Sequence, residues 1–107
     1  LLGLAYKKNV DDHRESVTFK IMYLLSENGA TVDYNDPYIP EIMPVREYKQ
    51  FVGRKSVPLE NLNQYDLAII LTDHSSYNYE AIVEQSKIVV DTRNACGKIK
   101  SDKIIKA

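Results

Sequence analysis

The chain of 107 residues is long enough for one compact domain and too short for two. Its 44% hydrophobic and 27% charged residues are the mix of an ordinary soluble globular protein, and a formal net charge of -1 leaves no basic footprint for nucleic acid. No apolar run approaches the roughly 20 residues that span a bilayer, no signal-peptide pattern opens the chain, and a single cysteine, Cys96, excludes an internal disulfide.

Leu1 to Ala5 is an apolar run that predicts a buried strand, and its abrupt start reads as a segment of a longer polypeptide. The strand delivers Tyr6, Lys7 and Lys8 into a polar loop that also carries Asp11, Asp12 and Arg14. Ser16 is the expected N-cap of a helix, and Gly29 after Asn28 its stop. Between them Val17, Phe19, Ile21, Met22, Leu24 and Leu25 mix helical spacing with dense burial. Thr31 to Asn35 reads as a second strand, closed by the turn Asp36-Pro37.

From Tyr38 to Val57 the pattern is broken by Pro40, Pro44 and Gly53, which predicts a surface excursion with one short edge strand. Leu59 to Gln64 predicts a brief helix. Leu67 to Leu71 is a continuous apolar run, the pattern of a parallel strand buried on both faces. Thr72-Asp73-His74-Ser75 is the polar loop at its carboxyl end. Tyr79 to Gln85 predicts a helix, and Lys87 to Val90 a further buried strand that ends in Asp91-Thr92-Arg93-Asn94. This alternation is α/β. Right-handed crossovers turn it into a small open parallel sheet with helices on both faces.

Each polar loop follows a strand, so the loops gather on one edge of the sheet, where open parallel sheets bind anionic ligands. Lys7 follows the first strand directly, and its ammonium is a compact charge suited to a phosphate or a sugar oxygen. Arg14 stands just ahead of a helix start, where its fork could grip a pyrophosphate; it could equally pair with Asp11 or Asp12. Arg93 either covers the sheet edge or points into the same cleft as Lys7. Asp36 sits near the position of a ribose-binding acid, but no G-x-G-x-x-G turn precedes it, and a turn role is favoured. His74 between Asp73 and Ser75 cannot form a triad with its own neighbours, so a loop histidine capping the next helix is the better reading. The two histidines and one cysteine lack metal-ligand spacing, and Cys96 reads as an incidental loop thiol.

Four ordered segments resemble the C-terminal domain of the UDP-glucose/GDP-mannose dehydrogenase family. They are Gly3-Leu4-Ala5-Tyr6-Lys7 with Asp11 to Ser16, Asp36-Pro37-Tyr38-Ile39-Pro40, Thr72-Asp73-His74, and Asp91-Thr92-Arg93-Asn94. Within the family the last three look most like the branch acting on UDP-N-acetylhexosamines. Val17 stands where the family usually has proline, and His13 where it usually has an aliphatic residue or threonine.

The resemblance implies a Rossmann-like, UDP-sugar-binding domain over residues 1–107, one part of a cytoplasmic, NAD-dependent 6-dehydrogenase of polysaccharide biosynthesis. It implies that Tyr6, Lys7 and Arg93 contact the UDP-sugar, a UDP-N-acetylhexosamine or UDP-hexose, and that Arg14 reaches the NAD pyrophosphate. The family oxidises the sugar C6 alcohol to a carboxylate in two hydride transfers through a cysteine thioester. That nucleophile and the NAD-binding loop are expected in N-terminal and central domains of the same polypeptide, itself a homo-oligomer. The chain alone is therefore expected to be inactive, with no catalytic residue of its own and no membrane or nucleic-acid partner. The alternative, from the sheet-edge loops alone, is a non-catalytic flavodoxin-like nucleotide-binding or regulatory module.

Overall fold

Three short parallel strands form the sheet in the computed structural model, which describes residues 1–107: β1 (Ala68–Ile70), β2 (Val89–Asp91) and β3 (Ile104–Lys106), in that spatial order. Ala68 pairs with Val89, and Val89 with Ile104. The two strands expected nearest the start of the chain are reduced to single bridges, in which Leu2 pairs in parallel with both Asn35 and Ile70. Leu2 N–H donates to the Ile69 carbonyl at 2.8 Å, and Gly3 N–H to the Asn35 carbonyl at 2.8 Å. The segments around Asn35 and Leu2 thus extend the layer beyond β1, with Leu2 in the middle.

Gly3 explains why the first segment ends as a strand so early. Its φ is 98°, a left-handed conformation that breaks the pleat and that L side chains rarely adopt. A Cβ there would lie 2.3 Å from Thr72 Cβ, so the backbone crosses the Thr72 loop at a distance only glycine allows.

Helix α1 (Val17–Glu27) starts where Ser16 accepts a hydrogen bond from Thr18 N–H, as its sequence foretells. It ends at Asn28, whose backbone N–H donates to the Leu24 and Leu25 carbonyls, and Gly29 then turns at φ 90°. Thr18, Phe19 and Met22 form its buried face. Helix α2 (Tyr79–Gln85) is capped by Asn78, which accepts from Ala81 N–H at 3.1 Å, and it buries Ile82 and Val83. Lys103 reaches its C-terminal carbonyls, Val83 at 3.2 Å and Glu84 at 3.0 Å, which places a cation at the negative end of the helix.

The helices serve separate cores. Leu2, Ala68, Ile70 and Val89 pack with Ile82 and Val83 of α2 and with Leu62, which lies in a 3-10 helix (Leu59–Gln64). Leu4, Ala5, Val32 and Tyr34 pack with Phe19 and Met22 of α1. Residues 38–57 are more than a surface excursion, because Ile39, Ile42 and Phe51 are buried in that second core. The edge strand expected there is one antiparallel bridge, Glu41 to Lys55, beside a short 3-10 helix (Lys49–Phe51). No helix is long and apolar enough to cross a membrane.

Candidate functional site

The loops that follow the strand segments are joined to one another by hydrogen bonds and, at Arg93, by an ion pair, so their convergence is a matter of built contacts. Asp36 is the hub. One oxygen of its buried carboxylate accepts the Leu4 and Ala5 amides at 2.7 and 2.9 Å and meets His74 Nε2 at 2.8 Å. The other accepts Tyr38 N–H at 2.8 Å. Asp36 is therefore the turn residue that its Asp-Pro context suggests, and it has no free oxygen directed at a ribose.

His74 is wholly buried, with no exposed surface on its ring. Its Nδ1 accepts Asn9 N–H at 2.9 Å, and a backbone amide can only donate. The ring proton thus sits on Nε2 and points at Asp36. The ring is not the helix cap expected from the sequence: Asn78 caps α2, while His74 links three loops. Tyr38 and Tyr77 pack against its ring with centroids at 4.8 and 5.6 Å.

Residues 6–12 form a closed loop. Tyr6 N–H donates to the Asp12 carbonyl at 3.0 Å across its base. At its tip Asn9 takes a left-handed φ of 62° and exchanges two side-chain bonds with Ser75. Tyr6 and Lys7 are both exposed on this loop, and the Lys7 ammonium lies 5.6 Å from the Tyr6 ring centroid. The Lys7 charge is thus held by the neighbouring aromatic ring rather than by the body of the domain.

Arg14 takes the ion-pair option. Its Nε and Nη2 grip the Asp12 carboxylate at 3.0 and 2.8 Å, and its side chain remains 80% exposed. The hydrogen bond from Arg14 holds the Asp12 carboxyl down at about 2. Asp11 takes no part in that pair.

Arg93 leaves a third loop that Asp91 shapes. The buried Asp91 carboxylate accepts the amides of Arg93, Ala95 and Cys96 at 3.0, 3.1 and 2.8 Å. Burial raises the Asp91 pKa, and these amide bonds outweigh it to leave the carboxyl below its usual range. Arg93 Nε stands 3.6 Å from Asp73, so its loop joins the Thr72–Ser75 loop at the same edge. Cys96 lies in the turn after β2, a loop thiol as its sequence suggests. It is fully buried, and burial followed by the Asp91 charge pushes its thiol up to about 11, which leaves it inert.

The four residues expected from the sequence, Tyr6, Lys7, Arg14 and Arg93, are all exposed: Tyr6 and Lys7 on the 6–12 loop, Arg14 just after it and paired to Asp12, and Arg93 beside Asp73 of the Thr72–Ser75 loop. Their supports, Asn9, Asp36, His74 and Asp91, were assigned no such role from sequence. The usable signals were present: an asparagine in a polar loop tolerates positive φ, and an aspartate closing a strand can gather the amides of the turn after it. No group of three or more His, Cys, Asp or Glu side chains is placed to hold a metal ion.

The sequence and the overall fold have counterparts among known proteins. A family model described as the UDP binding domain of the UDP-glucose/GDP-mannose dehydrogenase family matches residues 1–98. The chain is 34% identical over 106 residues to UDP-N-acetyl-D-mannosamine dehydrogenase of Methanococcus maripaludis, an alignment covering 88% of the chain and 22% of that relative. A solved UDP-D-ManNAc dehydrogenase from Pyrococcus horikoshii superposes on 98% of the chain and 23% of its own length, with a TM-score of 0.67 at 31% identity. The UDP-N-acetyl-mannosamine dehydrogenase Cap5O from S. aureus gives 0.66 at 28% identity, again over 98% of this chain and 24% of that one. The chain thus spans about a fifth of the length of the curated relatives it matches. By the family model that matches it over residues 1–98, and in keeping with these similar proteins, the chain belongs to the UDP-glucose/GDP-mannose dehydrogenase family.

Proposed function

We propose that residues 1–107 are the UDP-sugar-binding C-terminal domain of an NAD-dependent nucleotide-sugar 6-dehydrogenase. In this reading Tyr6, Lys7 and Arg93 contact the UDP-sugar and Arg14 reaches the pyrophosphate of NAD. One observation carries it: Lys7 stands exposed, with no carboxylate partner, on a loop fixed at its base and its tip. A cation held in that way is preorganised for an anion that arrives from outside the domain.

The substrate is a UDP-N-acetylhexosamine in this account, in keeping with the relatives named UDP-N-acetyl-D-mannosamine dehydrogenases. NAD would be held mainly by another domain of the same polypeptide, which would also supply the cysteine nucleophile. The chemistry, when that cofactor is bound, is removal of two hydrides from the sugar C6. This chain's own residues bind and orient; none of them moves a proton or forms a covalent intermediate. A homo-oligomeric, cytoplasmic enzyme of polysaccharide biosynthesis belongs to the same reading.

The test is NADH production with UDP-N-acetyl-D-mannosamine, followed spectrophotometrically. The complete polypeptide should turn over, and residues 1–107 alone should not. Turnover by the isolated chain would overturn the division of labour. No turnover by the complete polypeptide with any UDP-hexose or UDP-N-acetylhexosamine would favour a non-catalytic nucleotide-binding module.

A further inference from the structure

The loop that carries Tyr6 and Lys7 is exposed, yet its backbone is pinned at both ends. At the base, Tyr6 N–H meets the Asp12 carbonyl at 3.0 Å, and the buried Asp36 carboxylate fixes the two residues before it, Leu4 and Ala5. At the tip there is one residue, Asn9. Its backbone amide donates to His74 Nδ1 at 2.9 Å, its side-chain amide donates to Ser75 Oγ at 2.7 Å, and its side-chain carbonyl accepts Ser75 N–H at 2.8 Å. Its φ of 62° is the conformation that lets one residue present backbone and side chain to the same neighbouring loop.

We propose that Asn9, clasped by His74 and Ser75, is a positioning residue that sets the Tyr6–Lys7 loop for the UDP-sugar. The inference rests on the reading of Lys7 as a UDP-sugar contact. Asn9 itself touches no substrate; it acts through the loop. Lys7 and Lys8 lie between the two pinned points, so their backbone has little freedom left to lose when a ligand binds. Released at Asn9, the same loop would sample many arrangements, and only a fraction of them would present Lys7 correctly. Apparent affinity falls in proportion to that fraction.

The His74 end of the clasp has its own requirement. Nδ1 accepts from Asn9, and the Asp36 carboxylate, which accepts the proton carried on Nε2, fixes the ring orientation that presents Nδ1 to the loop. Asp36 and His74 therefore form a relay from the core to the tip of the loop, with Asn9 as its last member.

The test uses steady-state kinetics of the complete polypeptide with UDP-N-acetyl-D-mannosamine and saturating NAD. Asn9→Gly keeps the positive φ and the backbone amide and deletes the two bonds to Ser75, so the fold is not threatened. Its KM for the UDP-sugar should rise on the order of tenfold, with the loss in KM rather than in kcat. Ser75→Ala should raise KM in the same direction but by less. The double variant should be no worse than Asn9→Gly, because both substitutions open one clasp. Lys7→Ala serves as the reference for the site itself. If Lys7→Ala raises KM and Asn9→Gly leaves it unchanged, or if the effects of Asn9→Gly and Ser75→Ala simply multiply, the positioning role is wrong. If Lys7→Ala is itself without effect, the reading of the site fails and takes this inference with it.

Discussion

Asp36 and His74 meet at 2.8 Å with no exposed surface on either side chain, and between them they hold the Leu4, Ala5, Tyr38 and Asn9 amides. A buried carboxylate is tolerated here because every oxygen has a donor. Asp36→Ala would strand the Leu4, Ala5 and Tyr38 amides and the His74 ring N–H. Each buried donor left without a partner costs about 1–3 kcal/mol, so a loss of roughly 3 kcal/mol or more is expected. Urea denaturation of the chain followed by circular dichroism checks this, and a loss under about 1 kcal/mol would mean that water replaces the carboxylate freely.

Gly3→Ala should be among the most damaging single substitutions. The new Cβ meets Thr72 Cβ at 2.3 Å and the Thr72 backbone nitrogen at 2.6 Å, in a residue already at φ 98°. Neither conflict can be relieved by rotating a side chain. Strain and overpacking are each worth about 1–3 kcal/mol, and the two add here. The expected result is a sharply lowered urea midpoint, whereas Gly29→Ala, with open space around the same atom, should cost only the backbone strain.

Arg14 offers a test by titration. The Arg14 hydrogen bond depresses the folded Asp12 pKa, so the pairing is complete above the unfolded value and is lost as pH falls through about 2. Arg14→Ala should move the Asp12 midpoint up toward 3.8, as read by NMR of the carboxyl carbon. A midpoint that stays near 2 would assign the shift to another group.

Arg14→Lys separates the structural role from the proposed cofactor role. Lysine keeps the charge and loses the planar fork. If the fork turns from Asp12 to the NAD pyrophosphate, KM for NAD should rise on the order of tenfold while KM for the UDP-sugar stays nearly constant. A normal NAD dependence with a lowered melting temperature would make the pair with Asp12 the whole of its function.

The helices and the crowding of the edge loops were legible because their signals are local. Ser16 caps its own helix, and apolar runs mark β1 and β2, whereas the cap of α2 is Asn78 and not the His74 expected from the sequence. β3 was missed because it rests on Ile104 and Ile105 alone, between lysines, and only pairing with β2 makes it a strand. The first two segments read as strands by composition, yet Gly3 at positive φ stops one of them after Leu2. The exposed cations were visible as candidates because charge is written in the sequence. Their supports were not: the bond from His74 to Asn9 joins residues 65 positions apart, and Asp91 shows its role only once the turn has closed on it.

Lys7 and Lys8 give the most direct test of the central claim. They carry the same charge on adjacent positions of one pinned loop, so a general electrostatic attraction for UDP would feel both alike. The measurement is KM for UDP-N-acetyl-D-mannosamine in Lys7→Ala and Lys8→Ala variants of the complete polypeptide, at fixed ionic strength. The account predicts a rise on the order of tenfold or more for Lys7→Ala, the value of one charge-assisted hydrogen bond, and a change of less than about twofold for Lys8→Ala. Equal effects of the two substitutions would contradict it and reduce Lys7 to one of several surface charges.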